Sequence, residues 1–97
     1  MQMLVVDDDA RTRAFVADGL RQQGHMVDEA EDGELAVHMA TEGEYDAIVM
    51  DRMMPGLSGL DAVQTLRSRH VKTPILILTA LGSVDDRVAG LNAGADD

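Results

Sequence analysis

The chain has 97 residues, room for one small domain with a single core. Its 18 Asp and Glu outnumber 8 Lys and Arg, a formal net charge of −10 that argues against this segment gripping a nucleic-acid backbone or an anionic membrane. The absence of Cys excludes a disulfide framework and a thiolate metal site, and His25, His38 and His70 are too scattered for zinc-ligand spacing.

One Phe, one Tyr and no Trp leave no platform for stacking single-stranded bases. The opening "MQMLVVDDDA" lacks a basic region followed by a long apolar stretch, so it does not read as a signal peptide. No apolar run approaches the roughly 20 residues of a membrane span. A soluble, cytoplasmic domain is expected.

The first strand is "MLVV" (3–6), closed by Asp7, Asp8 and Asp9. Asp9 can cap a helix over 10–22, with Gly24 just past its end. The next strand, in "HMVDEA" (25–30), is more polar and suits a sheet edge. Asp32 can cap a helix over 33–41 that ends near Gly43. The third strand, "AIVM" (47–50), runs into Asp51 and then breaks at Pro55, Gly56 and Gly59. Ser58 and Asp61 form an S-x-x-D opening to a helix over 59–69. The fourth strand is "ILIL" (75–78), and Ser83 with Asp86 repeats the helix opening for 84–92. The first, third and fourth runs are apolar without alternation, as expected of strands buried on both faces. Strands alternating with helices predict a doubly wound parallel α/β sheet with right-handed crossovers.

Parallel strands share one carboxyl edge, where open α/β sheets place their ligands. The residues predicted there are Asp7, Asp8 and Asp9, Asp51, and Thr79 with Ala80. Clustered carboxylates raise one another's pKa unless a positive charge sits among them. Arg11 and Arg52 are near in sequence, but neither is placed by its strand to supply that charge. A hard divalent cation such as Mg2+ answers the need with oxygen ligands. The other reading makes Asp8 and Asp9 helix caps and Asp51 part of a solvated loop.

The segments "LVVDDD", "YDAIVMDRMMPGLSGLD", "PILILTA" and "GADD" together resemble the receiver domain of two-component response regulators, over the whole chain. "DRMMPGLSG" and "GADD" are most similar to the OmpR/PhoB-type subclass. The resemblance implies a flavodoxin-like sheet of order 2-1-3-4-5 and Asp51 as phosphoryl acceptor. It also implies Mg2+ bound by Asp8 directly, by Asp7 largely through water, by Asp51 and by the Met53 backbone carbonyl. Thr79 matches the switch hydroxyl, and Ala80 the small residue that leaves access to Asp51. The implied phosphoryl donor is a sensor histidine kinase, and the implied output is a DNA-binding domain outside 1–97 that regulates transcription. No activity is implied beyond the chain's own phosphorylation and dephosphorylation. Arg87, Asp96 and Asp97 match positions of intersubunit salt bridges in that subclass.

The family pattern continues into a fifth strand carrying a Lys, and a fifth helix, which these 97 residues lack. Lys72, the only Lys, falls at the wrong end of the fourth strand to replace it. The expectation is a C-terminally incomplete receiver whose "ILILT" edge pairs with another copy, as a homodimer or a swapped, edge-paired oligomer. Met53 and Leu81 occupy two positions that tune phosphate loss in the family, and both are apolar. Two rivals remain. One is a pseudo-receiver that acts as a dimerisation module without taking phosphate. The other is a haloacid-dehalogenase-type aspartyl-phosphate hydrolase, which would want D-x-D where this chain has Asp51-Arg52-Met53.

Overall fold

The computed structural model describes residues 1–78. They form β1 (Gln2–Val6), α1 (Ala10–Gln22), β2 (Met26–Ala30), α2 (Gly33–Glu42), β3 (Ala47–Asp51), α3 (Gly59–Ser68) and β4 (Ile75–Leu78). The strands are parallel, in the order β2-β1-β3-β4. This is the doubly wound, flavodoxin-like arrangement expected from the alternating pattern. The helix expected over 84–92, and with it Thr79, Ala80, Leu81, Arg87, Asp96 and Asp97, lies outside the described residues. No helix among the described residues is long and apolar enough to cross a membrane.

The helices begin where the sequence placed their caps. The Asp9 carboxylate accepts from the amides of Arg11 (2.9 Å) and Thr12 (3.2 Å). Asp32 accepts from Leu35 N (2.7 Å), and Ser58 Oγ from Asp61 N (3.2 Å). Each cap satisfies first-turn amides that have no partner inside the helix.

Alternation along the strands divides the core between the two faces of the sheet. Leu4, Val6, Ile48 and Met50 pack under α2 and α3 with Val37, Ala40, Val63 and Leu66. Met3, Val5 and Val49 face the other way and pack with Ala17 of α1 and Val27 of β2. β1 and β3 are therefore covered on both sides, as their unbroken apolar runs predict. β2 is at the sheet edge, and its Met26 is exposed.

β4 departs from the double burial that its apolar run alone suggests, and agrees with the exposed edge expected of "ILILT". Ile75 and Ile77 are buried, but Leu76 and Leu78 are 43% and 37% exposed. Leu76 pairs in register with Val49, so it shares the α1 face of the sheet. Among the described residues, α1 packs on β1 and β2, too far along the sheet to cover Leu76. An apolar run fits a doubly buried strand, but the strand's distance from the covering helix decides the outcome.

Candidate acidic site at the strand ends

β1 and β3 are neighbours with Val6 opposite Met50, so the next residue of each, Asp7 and Asp51, emerges at the same edge. Asp7, Asp8 and Asp51 each offer a carboxylate oxygen, and these oxygens lie within 4.8 Å of one another. Asp7 is buried, Asp51 half-buried and Asp8 exposed.

Asp7 is fixed at three points. Its amide donates to the Ala30 carbonyl at 3.1 Å, and its own carbonyl accepts from Arg13 Nη1 at 2.9 Å. Its Oδ1 accepts from the Asp9 amide at 2.9 Å. Asp51 keeps its place in the ladder through the Arg52 amide, which donates to the Leu78 carbonyl at 3.0 Å. The Met53 amide donates to Asp51 Oδ1 at 3.3 Å.

The breakers after Asp51 have a structural purpose. Gly56 sits at φ +75°, a conformation that side chains resist. The turn brings Gly59 back so that its amide donates to the Arg52 carbonyl at 2.9 Å. A Cβ on Gly59 would collide with the Asp51 carbonyl, so the first turn of α3 rests on the backbone of Asp51 itself.

Burial and mutual repulsion govern the carboxylates of this site. Burial pushes the Asp7 carboxyl up, and the charges of Asp51, Asp8 and Asp9 push it further, against the Asp9 amide. Burial also raises Asp51, with Asp8 adding to it, against the amides of Met53 and Arg52. Arg13 is close by, but it is turned to the Asp7 carbonyl and to Glu29 Oε1 (3.2 Å) rather than to these carboxylates. Three hard oxygen donors under mutual repulsion fit a hard divalent cation.

The cleft has a volume of about 470 Å³ and is lined by Asp7, Asp8, Asp9, Thr12, Asp51, Met53 and Leu78. Asp9 is both the α1 cap and part of the wall, whereas Asp8 stands exposed on the lip. Asp51 ends β3 rather than lying in a solvated loop. Met53 is 69% exposed at the rim. Thr12 and Leu78 were not anticipated. Each had a signal: Thr12 is three residues beyond the cap at the site, and Leu78 ends the strand beside Asp51. Lys72 is exposed before β4, at the end of the strand away from the cleft.

Fold and site together define a class: a parallel α/β domain with carboxylates from two adjacent strand ends gathered around an accessible aspartate. The chain belongs to the response regulator receiver domain family, which it matches over residues 3–97. It is similar to the transcriptional regulatory protein TcrA of Mycobacterium tuberculosis, at 46% identity over all of this chain and 38% of that protein. It is also similar to the two-component response regulator PhoP of Pseudomonas aeruginosa, at 47% identity over all of this chain and 43% of that protein. The chain thus spans about two-fifths of the length of these curated relatives. Such relatives are transcriptional regulators of the OmpR/PhoP type, in keeping with the subclass its motifs resemble. Among solved structures it is similar to the receiver domain of sensor histidine kinase PA1611 from Pseudomonas aeruginosa, which has a magnesium ion coordinated in its active site cleft. That match has a TM-score of 0.90 and 35% identity, and covers 99% of this chain and 80% of the other.

Proposed function

We propose that this chain is the phosphorylatable switch of a transcriptional response regulator, with Asp51 as its phosphoryl acceptor. The observation that carries the reading is the convergence of Asp7, Asp8 and Asp51 within 4.8 Å at the ends of two adjacent strands. Receiver domains take their phosphoryl group from histidine kinases and bind Mg2+ at an acidic site. In this chain Asp8, Asp51 and the Met53 carbonyl would hold the ion directly, and Asp7 largely through water. When bound, Mg2+ supplies charge neutralisation at the transferring phosphoryl oxygens.

An Asp51 oxygen attacks phosphorus, and the bond from phosphorus to the kinase imidazole nitrogen breaks. Its electron pair returns to that nitrogen. The Met53 amide holds Asp51 Oδ1 and so orients the carboxylate for attack. By the family resemblance Thr79 would hydrogen-bond the phosphoryl group and Ala80 would leave access to it, and the new charge would bias a bistable surface. That surface controls a DNA-binding output domain, and the chain catalyses only its own phosphorylation and dephosphorylation.

Incubation with acetyl phosphate and Mg2+, followed by intact mass measurement, tests the assignment. One phosphate adduct is expected, absent from Asp51→Ala. A full-length protein that takes no phosphate under these conditions would instead be a pseudo-receiver.

A further inference from the structure

We infer that Arg13 is a positioning residue for the magnesium site, acting through the peptide that joins Asp7 to Asp8 and steered by Glu29. The inference rests on the metal reading above and adds a residue to it.

Arg13 lies in the second turn of α1 and its side chain is only 19% exposed. Its Nη1 donates to the Asp7 carbonyl at 2.9 Å, and its Nε donates to Glu29 Oε1 at 3.2 Å. The carbonyl it holds belongs to the peptide between Asp7 and Asp8, so rotation of that one peptide would move both acids. The Asp7 amide is already tied to Ala30, and Asp7 Oδ1 to the Asp9 amide. The Asp9 amide occupies Oδ1, so Oδ2 is the oxygen left to turn toward a cation, and Arg13 fixes the backbone from which it turns.

Glu29 decides where the guanidinium goes. An arginine beside three clustered carboxylates is attracted to them, and there it would compete with a metal. Pairing with Glu29 on β2 holds Arg13 at the outer side of the strand end, aimed at the carbonyl. Glu29 Oε2 accepts from Arg21 Nη2 at 3.3 Å, and Arg21 Nη2 also donates to the Val27 carbonyl at 2.9 Å. Two arginines therefore clamp α1 to β2, but Arg13 alone of the two touches the acidic site. That difference separates positioning from simple fold stability.

Titrating the 97-residue chain with Mg2+ by calorimetry, alongside its metal-free melting temperature, tests the inference. Arg13→Ala should weaken Mg2+ binding on the order of tenfold, the scale seen when a ligand's outer hydrogen-bond partner is lost. Arg13→Lys should recover part of this, because an ammonium can reach the carbonyl but cannot also keep the Nε contact to Glu29. Glu29→Gln should weaken binding as well, but by less than Arg13→Ala, because it removes the charge that holds the guanidinium while leaving an oxygen to accept from Nε. Arg21→Ala should lower the melting temperature while leaving Mg2+ affinity as it was. If Arg13→Ala costs no more affinity than Arg21→Ala, the inference is overturned and the metal reading survives. If the wild-type chain binds no Mg2+, both fall. Should Arg13→Ala fail to fold, unchanged affinity in both Arg13→Lys and Glu29→Gln overturns the inference equally.

Discussion

Gly59 and Asp51 are in backbone contact: a Cβ on Gly59 would strike the Asp51 carbonyl and crowd the Arg52 α-carbon. Backbone on the receiving side cannot move aside as a flexible side chain can. Gly59→Ala should therefore cost about 1–3 kcal/mol, the range for overpacking a close contact. Because the displaced group is the peptide of Asp51, phosphate uptake from acetyl phosphate should fall too. Gly56→Ala is the contrast. It has open space around it but sits at φ +75°, so it should cost about 1–2 kcal/mol of backbone strain and leave phosphate uptake intact. Urea unfolding with intact mass measurement distinguishes the two, and equal loss of phosphate uptake in both would contradict the Gly59 contact.

The acidic site weakens the metal-free fold at neutral pH. Burial first, and neighbouring negative charge second, raise Asp7 and Asp51. The folded state therefore holds their protons more tightly than the unfolded chain does. Stability from these groups is fully present below the unfolded carboxylate pKa of about 4, and is lost as pH rises through their folded values. Asp51→Asn and Asp7→Asn should each stabilise the metal-free chain at pH 7, and the gain should fade below about pH 4. Asn at position 7 retains the oxygen that accepts from the Asp9 amide, so the local turn survives. Melting each variant against the parent across this range checks the sign, and a gain that grows toward low pH would refute it.

On the proposed reading, relief of the same repulsion would make Mg2+ a stabilising ligand. A ligand that binds only the folded state adds about 2.7 kcal/mol at a hundred times its Kd. Thermal unfolding with and without Mg2+ should show this rise for the parent. Asp8→Ala should abolish most of it and should slightly raise the metal-free melting temperature, since it removes a charge that raises Asp7 and Asp51. Ca2+-free buffers and a matched ionic-strength control with NaCl separate site binding from general screening.

Local patterns carried most of the site into view from sequence. The caps at Asp9, Asp32 and Ser58 depend on residues two or three positions apart, and all three hold. Asp7, Asp8 and Asp51 were legible because parallel strands share a carboxyl edge, so knowing the strands places their last residues together. What escaped depends on distant packing. The run "ILIL" alone suggests double burial; the exposure of Leu76 follows from where α1 stops covering the sheet, and only the expectation of an exposed edge pointed to it. The aim of Arg13 is set by Glu29, sixteen positions away on a different element. Arginines near an acidic cluster in sequence are readily taken as its counter-charges, whereas this one spends its donors on a carbonyl and a remote carboxylate.

Met53 gives a last test, of how long the phosphoryl group persists. The residue is 69% exposed and lines the cleft beside Asp51, so substitution there should not disturb the core. A thioether is a weak acceptor and cannot orient an attacking water well. Asn offers both a carbonyl and an amide at the same reach, and one added hydrogen bond to the water in the transition state is worth about 1 kcal/mol. In the full-length protein Met53→Asn, combined with Leu81→Glu at the second rate-tuning position, should therefore shorten the phosphate half-life by roughly tenfold, equivalent to about 1.4 kcal/mol. The decay of the phosphorylated species, followed by intact mass after the phosphate donor is removed, measures this directly. Equal half-lives in the parent and the double variant would show that apolar residues at these two positions are not what preserves the phosphate.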